Sequence, residues 1–148
     1  MDMKSQLNEA MKDAMRSGDV VRKSTIRMVL AAIKQAEVDK RAAQDDLAII
    51  ALLQKEIKNR KEAIEEAKKA DRADLVSSNE AEIDVLEAFL PEAMPADELR
   101  ELVKGVITET GATSPADMGA VMKVAMAKVA GRAPGGEVSA MVRELLTS

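Results

Sequence analysis

Cysteine, histidine, tryptophan and tyrosine are all absent from this 148-residue sequence, and Phe89 is its one aromatic residue. Without cysteine there is no disulfide framework, no thiolate zinc site and no cysteine nucleophile, and a reducing compartment is expected. Without histidine the usual neutral-pH acid/base and the commonest transition-metal ligand are missing, which disfavours histidine-based triads and metal-assisted chemistry. A binder that stacks single-stranded bases on aromatic platforms is disfavoured for the same kind of reason.

Long apolar runs are lacking too. The opening MDMKSQLNEAMKDAM has no uninterrupted stretch of about 7–15 apolar residues such as a secretory signal needs. No later segment approaches the roughly 20 apolar residues of a membrane span. The sequence therefore predicts a cytoplasmic protein with no membrane contact.

What is present is 47% hydrophobic, drawn from Ala, Leu, Val, Ile and ten Met, enough for an aliphatic, adaptable core. The 22 basic and 26 acidic residues leave a net charge of -4, so the whole-molecule field does not recruit nucleic acid and any RNA contact needs a local basic patch.

The periodicity is helical throughout. Met3, Leu7, Met11 and Ala14 have the three-to-four spacing of one helix face, and the first helix stops near Ser17-Gly18. Asp19 can cap a second helix with Ile26, Val29, Leu30 and Ile33 on one side. Asp45 is an N-cap candidate for a long helix, where Ile50, Ile57 and Ile64 recur every seventh residue in a short coiled-coil-like seam. A polar break at Ala70–Asp74 precedes a helix carrying Ile83, Leu86, Phe89 and Leu90, which Pro91 ends.

The prolines at 91 and 95 mark the best boundary in the chain, and the linker is placed there. Beyond it Pro95 opens a helix with Leu99, Leu102, Val103, Val106 and Ile107, closed by Thr110-Gly111. Ser114-Pro115-Ala116-Asp117 is a box-like helix start for Met118, Val121, Met122, Ala125 and Val129. After Gly131-Arg132-Ala133-Pro134-Gly135-Gly136 comes a last helix with Val138, Met141, Val142 and Leu145. The predicted fold is all-α: an N-terminal helical hairpin or bundle, residues 1–91, followed by a smaller C-terminal three-helix domain, residues 92–148.

Three groups of cations stand out. The glycine-rich turn precedes a helix, where free amides and the helix dipole receive anions, but it lacks a preceding strand and a Walker lysine. It reads either as a plain interhelical turn or as a phosphate-contacting one in which Gly131 and Arg132 act with Lys123, Lys128 and Arg143. Arg22, Lys23, Arg27 and Lys34 read as a second basic face on helix two. The third run, Lys55 to Lys69 including Arg60, alternates with Glu56, Glu62, Glu65 and Glu66 and reads as a solvated face with i,i+4 pairs. Glu80, Glu82 and Asp84 read likewise, so no catalytic residue, metal ligand or cofactor is assigned.

In order and spacing, Val21–Lys34, Leu53–Arg60, Val85–Pro91 and Asp117–Ala133 together resemble the YqeY family over nearly the whole chain. The resemblance implies a helical N-terminal part and a smaller helical C-terminal part. It also implies kinship with the tail of the GatB subunit of the aspartyl/glutamyl-tRNA amidotransferase, a tail that helps grip tRNA. The phosphorylation and glutamine hydrolysis of that enzyme belong to other domains. Pro134 departs from the family's Gly-Arg-Ala-Asp-Gly pattern and removes a backbone donor from the turn.

The leading expectation is a non-catalytic helical module that contacts tRNA or another structured RNA through Lys123, Lys128, Gly131, Arg132 and Arg143, with Arg22 and Arg27 as further candidates. Its rival is an adaptor for a protein partner, for instance of the translation machinery, that binds no RNA. An accessory role in glutamine-dependent carbon-nitrogen ligation ranks third.

Overall fold

A computed structural model describes residues 2–147, which form seven α-helices, one 3-10 turn and no strand. The backbone divides into two compact units, residues 1–90 and 91–148. Each has its own hydrophobic core.

The first unit holds α1 (Met3–Ser17), α2 (Val20–Lys40), α3 (Asp46–Lys69) and α4 (Ala73–Glu87). Three aspartates start three of these helices by accepting an orphan backbone N–H: Asp2 from Ser5 at 2.8 Å, Asp19 from Arg22 at 3.0 Å and Asp45 from Ala48 at 2.8 Å. The α1–α2 joint turns at Gly18, whose φ of 73° is left-handed and cheap only for glycine. Between α2 and α3 the carboxylate of Glu37 accepts the Gln44 N–H at 3.1 Å and the Lys4 ammonium at 2.9 Å. The Lys4 bond, then the Gln44 bond, hold that carboxyl below its ordinary pKa.

The seam of α3 is longer than its isoleucines suggest. Ile50, Leu53, Ile57, Arg60, Ile64 and Ala67 are all buried, alternating steps of three and four as in a heptad. Arg60 occupies one of those steps, with its side chain 8% exposed. Its Nη1 donates to Glu56 Oε2 at 2.7 Å and to the Glu56 carbonyl at 3.1 Å. Its Nε donates to Glu82 Oε2 on α4 at 3.0 Å, and its Nη2 lies 3.5 Å from Met28 Sδ on α2. The expectation that Arg60 and Glu82 sit on solvated faces is thereby corrected: the guanidinium is the polar centre joining α2, α3 and α4. Along the rest of that run pairs form at i,i+3, Glu65 with Lys68 and Glu66 with Lys69.

Thr25, 1% exposed on α2, has a buried hydroxyl without a hydrogen-bond partner. A buried hydroxyl left unsatisfied costs about 1 kcal/mol or more, and valine has nearly its shape. Thr25→Val is expected to raise the melting temperature by roughly 4–8 °C, the equivalent of ~1 kcal/mol in a domain of this size. A lower melting temperature by circular dichroism would show that the hydroxyl is satisfied in solution.

Helix α4 stops at Glu87, three residues before Leu90, and residues 88–90 form a turn ahead of Pro91. Phe89 and Leu90 still pack on the first core. The second unit comprises α5 (Ala96–Thr110), a 3-10 turn (Pro115–Asp117), α6 (Met118–Val129) and α7 (Gly135–Thr147). Pro95 is the N-cap of α5 rather than part of its first turn. Asp117 reaches back to the Thr113 and Ser114 N–H groups at 2.9 and 3.3 Å, which completes the box at the 3-10 turn. The core gathers Leu99, Val103 and Val106 of α5, Val121, Ala125 and Val129 of α6, and Val138, Val142 and Leu146 of α7. The segment expected as a linker belongs to this unit: Met94 is 8% exposed in its core, and the Met94 N–H donates to the Arg132 carbonyl at 2.8 Å.

Candidate nucleic-acid interface

The glycine-rich turn is built by backbone conformation. Ala130 caps α6 with φ 51°, and Gly131 follows at φ 81°, so two successive left-handed residues reverse the chain. The role the geometry gives Gly131 is conformational, because any side chain is strained at that φ. Pro134 lacks an N–H but its carbonyl accepts from Glu137 at 3.0 Å and Val138 at 3.2 Å, opening α7.

Arg132 projects from this turn onto the segment leading into α5. Its Nη1 and Nη2 donate to the two carboxylate oxygens of Glu98 at 2.7 and 3.2 Å, and its Nε donates to the Glu92 carbonyl at 3.1 Å. The Glu98 hydrogen bond, with its charge, raises the Arg132 pKa above the ordinary value. A bidentate pair of this kind fixes geometry as well as charge. Arg132 therefore clasps residues 92–98 to the α6–α7 turn, and a phosphate approaching it must compete with Glu98.

Lys128 lies 2.6 Å from Glu109, with both side chains about half exposed. Such a surface pair is worth about 0–1 kcal/mol and exchanges readily for another anion. Of the remaining bases in this unit, Arg100 pairs with Glu144 and Lys104 with Glu101. Lys123 and Arg143 are exposed and have no carboxylate partner among the described residues. Lys123 lies on the side of α6 away from Val121, Ala125 and Val129, since two residues turn the helix by about 200°.

In the first unit Arg22 and Arg27 do not share a face. Five residues separate them by about 140° around the helix: Arg22 is half-buried on the side of Ile26 and Val29, and Arg27 is exposed. The expected second basic face is corrected accordingly: Arg27 and Lys34 are its outward bases, and Lys23, half-buried like Arg22, lies at its edge.

No group of three or more Asp or Glu side chains able to hold a metal occurs among the described residues. An open depression of about 550 Å³ lies between α3 and α4. It is lined mainly by Ala63, Ala67, Ala70 and Leu75, and the one cation at its rim, Arg72, is engaged by Asp74 at 3.0 Å. The arrangement offers no paired acid and base. Among the described residues no helix is long and apolar enough to cross a membrane.

Residues 4–146 match the model of a family described as Yqey-like protein. Curated relatives include two proteins named altered inheritance of mitochondria protein 41, mitochondrial. The protein of Pyrenophora tritici-repentis is 35% identical over 95% of this chain and 79% of its own length. That of Lachancea thermotolerans is 35% identical over 78% of this chain and 63% of its own. A Schizosaccharomyces pombe protein described as uncharacterized is 34% identical over 62% of this chain and 74% of its own length. These names overturn the cytoplasmic expectation, because the relatives that carry a stated location are mitochondrial. Amino-acid composition does not encode an organelle.

Proposed function

The chain belongs to the YqeY-like family, and from that premise we propose that it is a non-catalytic helical module whose second unit contacts tRNA or another structured RNA. The kinship with a tRNA-gripping amidotransferase tail that the resemblance implies supports the reading, as does a sequence without histidine or cysteine. The observation that carries it is the distribution of partners: among the described residues Lys123 and Arg143 meet no carboxylate, in a unit where Arg100, Lys104, Lys128 and Arg132 each have one. Lys128 joins them by exchanging Glu109 for a phosphate, and Arg132 acts as a positioning residue that shapes the turn.

Two or three phosphate contacts give weak binding that falls roughly ten- to forty-fold between about 50 and about 200 mM salt. Titrating the full chain with tRNA at both salt concentrations is expected to show that loss. Lys123→Ala combined with Arg143→Ala removes most of the binding, whereas Arg132→Ala lowers the melting temperature and leaves the salt slope unchanged. Equal affinity of wild type and double variant at low salt sinks the reading.

A further inference from the structure

The outer face of α2 is the least explained surface of the first unit. Its outward side carries three bases, Arg27, Lys34 and, at the edge, Lys23, against one acid, Asp39, near its C-terminal end, in a chain whose net charge is -4. It also exposes large apolar side chains: Val20 is 75% exposed, Val38 64%, Val21 44% and Met28 42%. Isolated exposed aliphatics need no explanation, but an ordered row of them does.

Helical geometry orders them. Val20 and Val38, eighteen residues apart, fall on one line after five turns, about 27 Å along the axis, with Ala31 within roughly 20° of it. Val21 and Met28, seven apart, form a second apolar row about 90° around the helix. Lys23, Arg27 and Lys34 form a third row about 40° to the other side of the first. The buried residues Ile26, Val29 and Ile33 occupy the opposite side and face the core. Met28 is held in place from beneath, since the Arg60 guanidinium fixed by Glu56 and Glu82 lies 3.5 Å from its sulfur.

We propose that this face docks an acidic amphipathic helix of a protein partner, with the partner's apolar stripe on Val20, Val21, Met28 and Val38 and its carboxylates along Lys23, Arg27 and Lys34. Charge complementarity selects an acidic occupant. The apolar rows select a protein over RNA, because a phosphate backbone gains nothing by covering valine and methionine, and no aromatic is present to stack a base. A lipid surface fits poorly as well, since interfacial helices insert Trp, Phe and Leu on their apolar side.

The test uses the full chain and a synthetic helical peptide of about 20 residues with a leucine stripe flanked by glutamates, long enough to match the rows. A control peptide has the same composition with the leucines scattered. Saturable binding of the striped peptide is expected, at least tenfold tighter than the control. Arg27→Glu with Lys34→Glu, and separately Val20→Ser with Val38→Ser, are each expected to weaken it at least tenfold with an unchanged far-ultraviolet circular dichroism spectrum. The proposal is overturned by equal binding of the two peptides or by indifference to either pair of substitutions. It is equally overturned if the serine variant abolishes self-association in sedimentation, or if anionic vesicles or tRNA bind this face while the striped peptide does not. Binding of tRNA lost only with Lys123 and Arg143 bears on the second unit and leaves this proposal standing.

Discussion

Replacing Arg60 by alanine is expected to lower the stability of the first unit by about 3 kcal/mol, the low end for breaking a buried ion pair. The low end applies because the carboxylates left behind, Glu56 and Glu82, are 24% and 29% exposed and regain part of their hydration. Three packed helices lose their common polar contact at once. The melting temperature falls by roughly 12–24 °C on the usual scale for a domain of this size. Urea titration followed by circular dichroism measures the change, as the chain has no tryptophan to report by fluorescence. Buried ion pairs are often matched by apolar groups of similar volume, so Arg60→Met combined with Glu82→Leu is expected to recover most of the loss. If Arg60→Ala melts like wild type, the guanidinium is not the junction described above.

Leu53→Ala should cost about 3 kcal/mol, within the 2–5 kcal/mol that truncating a buried leucine removes through lost transfer energy and the cavity left behind. Leu53 is 0% exposed at the centre of the α3 seam, in the same core as Leu7, Ile26 and Ile33. Leu47, one helical turn and a half earlier, is 49% exposed, and Leu47→Ala should change stability by no more than about 0.5 kcal/mol. The pair separates composition from placement, since both variants lose the same atoms from the same helix. Equal unfolding midpoints in urea would show that the seam is not packed as described.

The caps and the periodicity were legible because they are local. Asp19 and Asp45 accept the backbone N–H three residues on, and Asp117 accepts those three and four residues back, contacts encoded in a few consecutive letters. Helix faces follow from a fixed 3.6-residue repeat, so the cores around Ile26, Val29 and Ile33 and around Val121, Ala125 and Val129 were readable as stripes. Arg60 was not, although a signal existed: it stands three residues after Ile57 and four before Ile64, in step with the heptad. Its neighbours Lys58 and Lys61 are exposed and mask it within a charged run.

The candidate site was legible only as a list of cations. Lys128, Arg132 and Arg143 carry the same charge in the sequence, yet the first two meet Glu109 and Glu98 across 19 and 34 residues, and Arg143 meets no carboxylate among the described residues. No window of consecutive residues contains that difference. By itself the sequence determined the helical class, most helix starts and the absence of histidine and cysteine chemistry, because composition, capping and periodicity act within one or two turns. Only the tertiary structure decided which charges are engaged, which is buried and which meet no carboxylate among the described residues, because ion pairs depend on side chains that folding brings within hydrogen-bond reach.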